Sequence, residues 1–161
     1  MRQGPHHQAL RGYTLIELMV VMAVLGILAM AALPLAEVSV QRDREHELKR
    51  ALSEIREALD AYKRAGEAGT VVVASGSSGY PPSLEALVTG LPNPKDAGRL
   101  QYFLRRVPRD PFADDSTSAA KTWGLRSFDS PPDRPRPGFD VYDVFSQSDK
   151  VGLNGVPLRE W

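Results

Sequence analysis

Glu17 is the side chain that most needs a chemical explanation. It stands near the start of RGYTLIELMVVMAVLGILAMAALPLAE, residues 11–37, and nineteen uncharged residues follow it from Leu18 to Ala36. As a helix rising about 1.5 Å per residue, that run reaches roughly 28 Å, close to the hydrocarbon thickness of a bilayer. An ionised side chain inside it costs on the order of 2.5–3.5 kcal/mol near the centre and less near an end. A monomer has two ways out: the carboxylate snorkels to the interface, or it holds a proton.

Other reactive groups are sparse. The chain has no cysteine, which excludes disulfides, thiolate-held metals and thiol catalysis. The serines of GEAGTVVVASGSSG, residues 66–79, do not match G-x-S-x-G and form no nucleophile elbow. His46 is alone and makes no case for a metal. Lys plus Arg and Asp plus Glu are 20 each, so no overall charge draws the chain to nucleic acid or acidic lipid. The dense charges of residues 41–50 interleave both signs and read as a solvated helix face.

The elements that must position Glu17 follow from the pattern around it. Residues 1–12, MRQGPHHQALRG, carry Arg2 and Arg11 and no acid, so the positive-inside tendency keeps this end cytoplasmic. A secretory signal places its small-residue cleavage site after the apolar core. Here Gly12 comes before the core, and Pro34-Leu35-Ala36-Glu37 makes a poor A-x-A site. A plain membrane anchor is the simplest reading of the segment. Pro34 predicts a bend or an opened turn near residues 30–34. Gly26 and the alanines at 23, 29, 31 and 32 permit close helix approach.

After Ala36 the helix becomes water-facing. Leu48, Leu52, Ile55, Leu59 and Tyr62 fall at steps of four and three on one face, widened by Ala51 and Ala58. Glu45–Lys49 and Asp60–Arg64 have the spacing of i,i+4 ion pairs. The helix is expected to be wet all round until about Glu47, then amphipathic until Gly66 or Gly69. Beyond it, YPPSLEALVTG reads as a short helix capped by Ser83 and stopped by Gly90. LQYFLRRVPRDPF reads as a strand ending at Pro108. WGLRSF and FDVYDVFS read as an antiparallel pair joined by the loop DSPPDRPRPG. Alternation puts Phe139, Val141, Asp143 and Phe145 on the side facing the helix, where Asp143 breaks the pattern.

RGYTLIELMVVMAVLGILAMAALP resembles the class III signal of type IV pilins and type II secretion pseudopilins. The resemblance implies cleavage by prepilin peptidase between Gly12 and Tyr13 and N-methylation of the new first residue, Tyr13, where the usual residue is Phe. It also implies pairing of Glu17 with the Tyr13 ammonium of a neighbouring subunit, which would set the register of a filament. The order of LDAYKRAGEAG, GYPPSLEALV, VPRDPF, FDVYDVFS and a terminal Trp is similar to the general secretion pathway protein G family, the major pseudopilins. That family's C-terminal loop binds calcium. The corresponding loop here is SQSDKVGLNGVPLREW, where Asp149 matches one acidic ligand and Asn154 stands near a second. The alternative is that Asp149 and Asn154 cap turns around Gly152 and Gly155.

The expected class is therefore α+β: a long helix packed on a small antiparallel sheet in a pilin-like arrangement. Its parts are a leader (1–12), a transmembrane and assembly helix (13–36), a periplasmic amphipathic helix (37–69) and a globular region (70–161). The resemblance implies a structural subunit, not an enzyme. It would form a homo-oligomeric pseudopilus in contact with minor pseudopilins and the inner-membrane secretion platform, and bind no nucleic acid. The alternatives are a pilin for adhesion, motility or DNA uptake, and a membrane-anchored periplasmic enzyme or binding domain. No catalytic cluster supports the last.

Overall fold

The computed structural model describes residues 12–74 and 76–161, with the backbone alone for 31–35. The expected leader, apart from Gly12, lies outside the described residues. One helix, α1, runs from Leu15 to Glu67, 53 residues. It is continuous through Pro34, so the opened turn that the proline predicts is not formed. A ring at that position removes one backbone bond, and the rest of the ladder persists around it. The helix ends where two glycines allow the chain to turn, with Gly69 at φ +66°.

Residues up to Val40 form one compact unit and Gln41–Trp161 a second. In the first unit the described helical side chains, including Leu18, Val21, Leu25 and Leu28, are all exposed. Among the described residues no helix is long and apolar enough to cross a membrane. The expected span includes residues 31–35, whose side chains lie outside the described set.

In the second unit the predicted stripe is the core. Leu48, Leu52, Ile55, Leu59 and Tyr62 are buried, with Ala51 and Ala58 between them. They pack with Leu84, Leu87, Leu104, Trp123, Val141, Val144 and Leu158 in one cluster. Burying a large aliphatic side chain contributes about 1.5–3 kcal/mol, so the stripe decides where the C-terminal chain can lie.

The rest of this unit is mostly irregular, held by two small antiparallel sheets. In the first, β1 (Leu91–Pro92) pairs with β2 (Leu100–Gln101). In the second, β3 (Trp123–Arg126) pairs with β4 (Asp143–Ser146), the pair expected from the sequence, in the register Trp123↔Ser146 and Gly124↔Phe145. Several local expectations are corrected. The short helix α2 spans Ala86–Thr89 and stops at Gly90 (φ +81°) as expected. Ser83, however, offers its backbone carbonyl to Ala86 (3.3 Å) and makes no side-chain cap. Only the first two residues of LQYFLRRVPRDPF form a strand, because the amides of Phe103 and Leu104 both bond to the carbonyl of Leu87.

The alternation read over 139–145 is also corrected. The Val141 amide is taken by the carbonyl of Pro81 (2.8 Å), so the strand begins at Asp143. Counted from there, Val144 and Ser146 point inward while Asp143 and Phe145 face the other way, and Phe139 is fully exposed. Gly124 lies opposite Phe145, and a Cβ there would come within 2.3 Å of the ring. The aromatic ring covers the glycine across the strand pair.

Candidate functional site

Gly12, Tyr13 and Glu17 sit together at the start of α1. Gly12, Tyr13 and Thr14 precede the helix, and no atom lies within 4 Å of a Cβ placed on Gly12. Tyr13 is 77% exposed. Thr14 caps the helix: its Oγ1 accepts the Glu17 amide (3.3 Å) and its carbonyl accepts the Leu18 amide (3.2 Å). Thr14-Leu15-Ile16-Glu17 has the spacing of a capping box, and Glu17 lies in the first turn, where unpaired backbone N–H groups favour an anion. This local support for the carboxylate was legible in the sequence as a threonine three residues before a glutamate, and sequence reasoning passed over it. Glu17 is exposed, and among the described residues no cation lies within ion-pair distance of it.

The C-terminal loop tests the calcium expectation. Asp149 is solvent-exposed and its Oδ1 lies 3.6 Å from Arg159 Nη1. Asn154 Oδ1 accepts the amide of Val156 (3.0 Å), closing its own turn. Around it the Gly152 amide bonds to the Val156 carbonyl, the Gly155 amide to the Gly152 carbonyl, and Val151 pairs with Pro157. Calcium takes six to eight oxygens, several of them carboxylate. Among the described residues no three His, Cys, Asp or Glu gather to hold a metal ion. One carboxylate beside a guanidinium and one carbonyl committed to a turn do not fit calcium.

Three carboxylates organise this half: Asp110, which sequence reasoning did not single out, and Asp143 and Glu45, whose partners it did not find. Asp110, 1% exposed, accepts the Ser146 hydroxyl (2.6 Å) on one oxygen and the Phe112 amide (2.8 Å) on the other. It thereby ties the VPRDPF turn to the end of β4, while Trp123 Nε1 donates to the carbonyl of Pro108 (2.8 Å). Asp143, which broke the strand pattern, accepts Arg56 Nε at 2.8 Å and lies 3.5 Å from Arg126 Nη1. A hydrogen-bonded carboxylate between two arginines satisfies a charge that would otherwise be costly to half-bury. Glu45, expected to be wet and to pair with Lys49, is 6% exposed. Its Oε1 accepts Gln41 Nε2 (2.9 Å) and the Leu153 amide (2.7 Å).

Comparison with known proteins bears on the start of the chain and on its family. Residues 10–33 match the model of the prokaryotic N-terminal methylation motif. The chain is similar to the type II secretion system core protein G of Vibrio cholerae, 32% identical over 65% of this chain and 66% of the relative. It is 30% identical to that of Klebsiella michiganensis over 67% of this chain and 72% of the relative. Against that of Pseudomonas aeruginosa it is 36% identical over 64% and 68%. The matches thus span about two thirds of the relatives' length. No solved structure matches the chain.

Proposed function

Because the chain belongs to the type II secretion system core protein G family, we propose that it is a pseudopilin, a structural subunit of the pseudopilus that drives protein secretion. A prepilin-type start implies anchoring in the inner membrane. The proposed orientation keeps residues 1–12 cytoplasmic and carries the C-terminal unit into the periplasm. There the chain is a substrate, not a catalyst. Prepilin peptidase cuts between Gly12 and Tyr13 and methylates Tyr13, and the processed subunits polymerise beside minor pseudopilins on the inner-membrane platform.

One observation carries this reading: a methylation motif opens directly into an apolar helical half that finds no cover within its own unit. A released α-amino group, with an ordinary pKa of about 7.7–8.0, keeps its charge as a secondary amine. Placed beside Glu17 of a neighbour, it compensates the carboxylate in a medium drier than water. Intact-mass spectrometry of protein extracted from membranes of cells containing prepilin peptidase tests the proposal. Loss of residues 1–12 with gain of one methyl group is expected. A full-length, unmethylated chain would leave only an anchored domain.

A further inference from the structure

The C-terminal segment lacks a fitting calcium site, yet it is tightly tied down. Four polar side chains of α1 reach it, at positions 41, 45, 49 and 56. Their steps of four, four and seven place them on one helical face, beside the apolar stripe. Gln41 Nε2 donates to the Val151 carbonyl (3.2 Å), and Glu45 Oε1 accepts the Leu153 amide (2.7 Å). Lys49 Nζ lies 4.5 Å from the centre of the Trp161 ring. Arg56 Nη2 donates to the carbonyl of Trp161 (2.8 Å) and to that of Val144 (3.2 Å). Gly152 makes the close approach possible, since a Cβ there would lie 2.5 Å from the Trp161 ring and 2.7 Å from Asn154 Oδ1.

We infer that the stripe Gln41–Glu45–Lys49–Arg56 fastens the segment Val151–Trp161 to the helix without a metal ion, so the fold of this subunit does not depend on calcium. The strap holds backbone groups of the segment one by one along the helix: the Val151 carbonyl on Gln41, the Leu153 amide on Glu45 and the Trp161 carbonyl on Arg56. Glu45 provides an anionic acceptor for the Leu153 N–H, and Arg56 a cationic donor for the Trp161 carbonyl, which it ties to that of Val144 in β4. The segment is thus anchored at both ends by opposite charges.

The test uses the full chain in detergent. Thermal unfolding with millimolar calcium and with EDTA should give the same midpoint. Hydrogen exchange at the Leu153 amide should rise roughly tenfold or more in Glu45→Ala, the loss expected for a bond to a charged acceptor. Glu45→Gln keeps an acceptor oxygen and should retain most of the protection, whereas Asp149→Ala should leave it unchanged. A midpoint that falls in EDTA and recovers with calcium would overturn the inference, and this arm needs no variant to fold. So would unaltered exchange in Glu45→Ala, a Glu45→Gln chain as open as Glu45→Ala, or loss of protection in Asp149→Ala. None of these outcomes bears on cleavage at Gly12, so the assembly proposal stands or falls separately.

Discussion

Leu15–Met30 and Leu48–Tyr62 are stretches of one helix, and both are rich in large aliphatic residues. In the first, Leu18, Leu25, Ile27 and Leu28 are all more than half exposed; in the second, Leu48, Ile55 and Leu59 are fully buried. The difference lies in how much of each surface is apolar: from Leu18 to Met30 there is no charged residue, whereas Leu48–Tyr62 carries six. The second stretch confines its apolar residues to one face, which its own C-terminal chain can cover. The first is apolar all round, and such a helix needs lipid or other helices on every side. One half is completed in cis, and the assembly proposed above would complete the other in trans.

The largest expected effect breaks the trans half alone. Glu17→Ala should still be cleaved and methylated, yet filaments should be lost when cells overproducing the subunit are inspected by electron microscopy. Normal filaments from that variant would remove the charge pairing between subunits. Unfolding of the C-terminal unit, followed by circular dichroism, should be unchanged in the same variant.

Next comes a matched pair of truncations. Ile55→Ala should lower the unfolding free energy by about 2–5 kcal/mol, as expected for a cavity in a close-packed core. Leu25→Ala should shift it by no more than about 0.5 kcal/mol, since it removes a side chain that is more than half exposed. Equal losses at both positions would mean that the first half is also packed in cis. Gly124→Val should cost about 1–3 kcal/mol in a denaturant titration, because the new side chain must displace the Phe145 ring.

The smallest effect is electrostatic and confined to the packed half. Burial pushes the Tyr62 phenol above its ordinary value of 10.0, and burial followed by the charges of Asp60, Tyr142, Glu67 and Asp140 does the same for Tyr80. A raised phenol pKa means that the folded state favours the neutral ring. That contribution is fully present below pH 10 and is lost as pH rises through the folded values. The denaturation midpoint should therefore fall in alkaline solution above about pH 10, and less so in a Tyr62→Phe, Tyr80→Phe double variant. An equal fall in the double variant would assign the alkaline loss to other groups.

Legibility followed range. The stripe at Leu48–Tyr62, the stop at Gly90 and the motif around Gly12 were readable because each is written in residues a few positions apart, and the pairing of WGLRSF with FDVYDVFS because two local strand patterns are joined by one loop. Ser83 as a cap and the long strand from Leu100 were misread, since both depend on where Leu87 and its neighbours settle. The face assignment failed at Phe139, Asp143 and Phe145, while Val141 is buried as expected: the bond from Val141 to Pro81 keeps residues 141–142 outside β4, so one alternation does not run through from 139 to 145.

By itself, the amino-acid sequence determined the helix, its division into a half apolar all round and a half apolar on one face, and the signal at its start. Those properties arise from local periodicity and local chemistry. Only the tertiary structure decided what Glu45, Asp110 and Asp143 do, for their partners lie 108, 36 and 87 residues away. A charge is placed by the group that answers it, and no local pattern records a group that arrives from the far end of the chain.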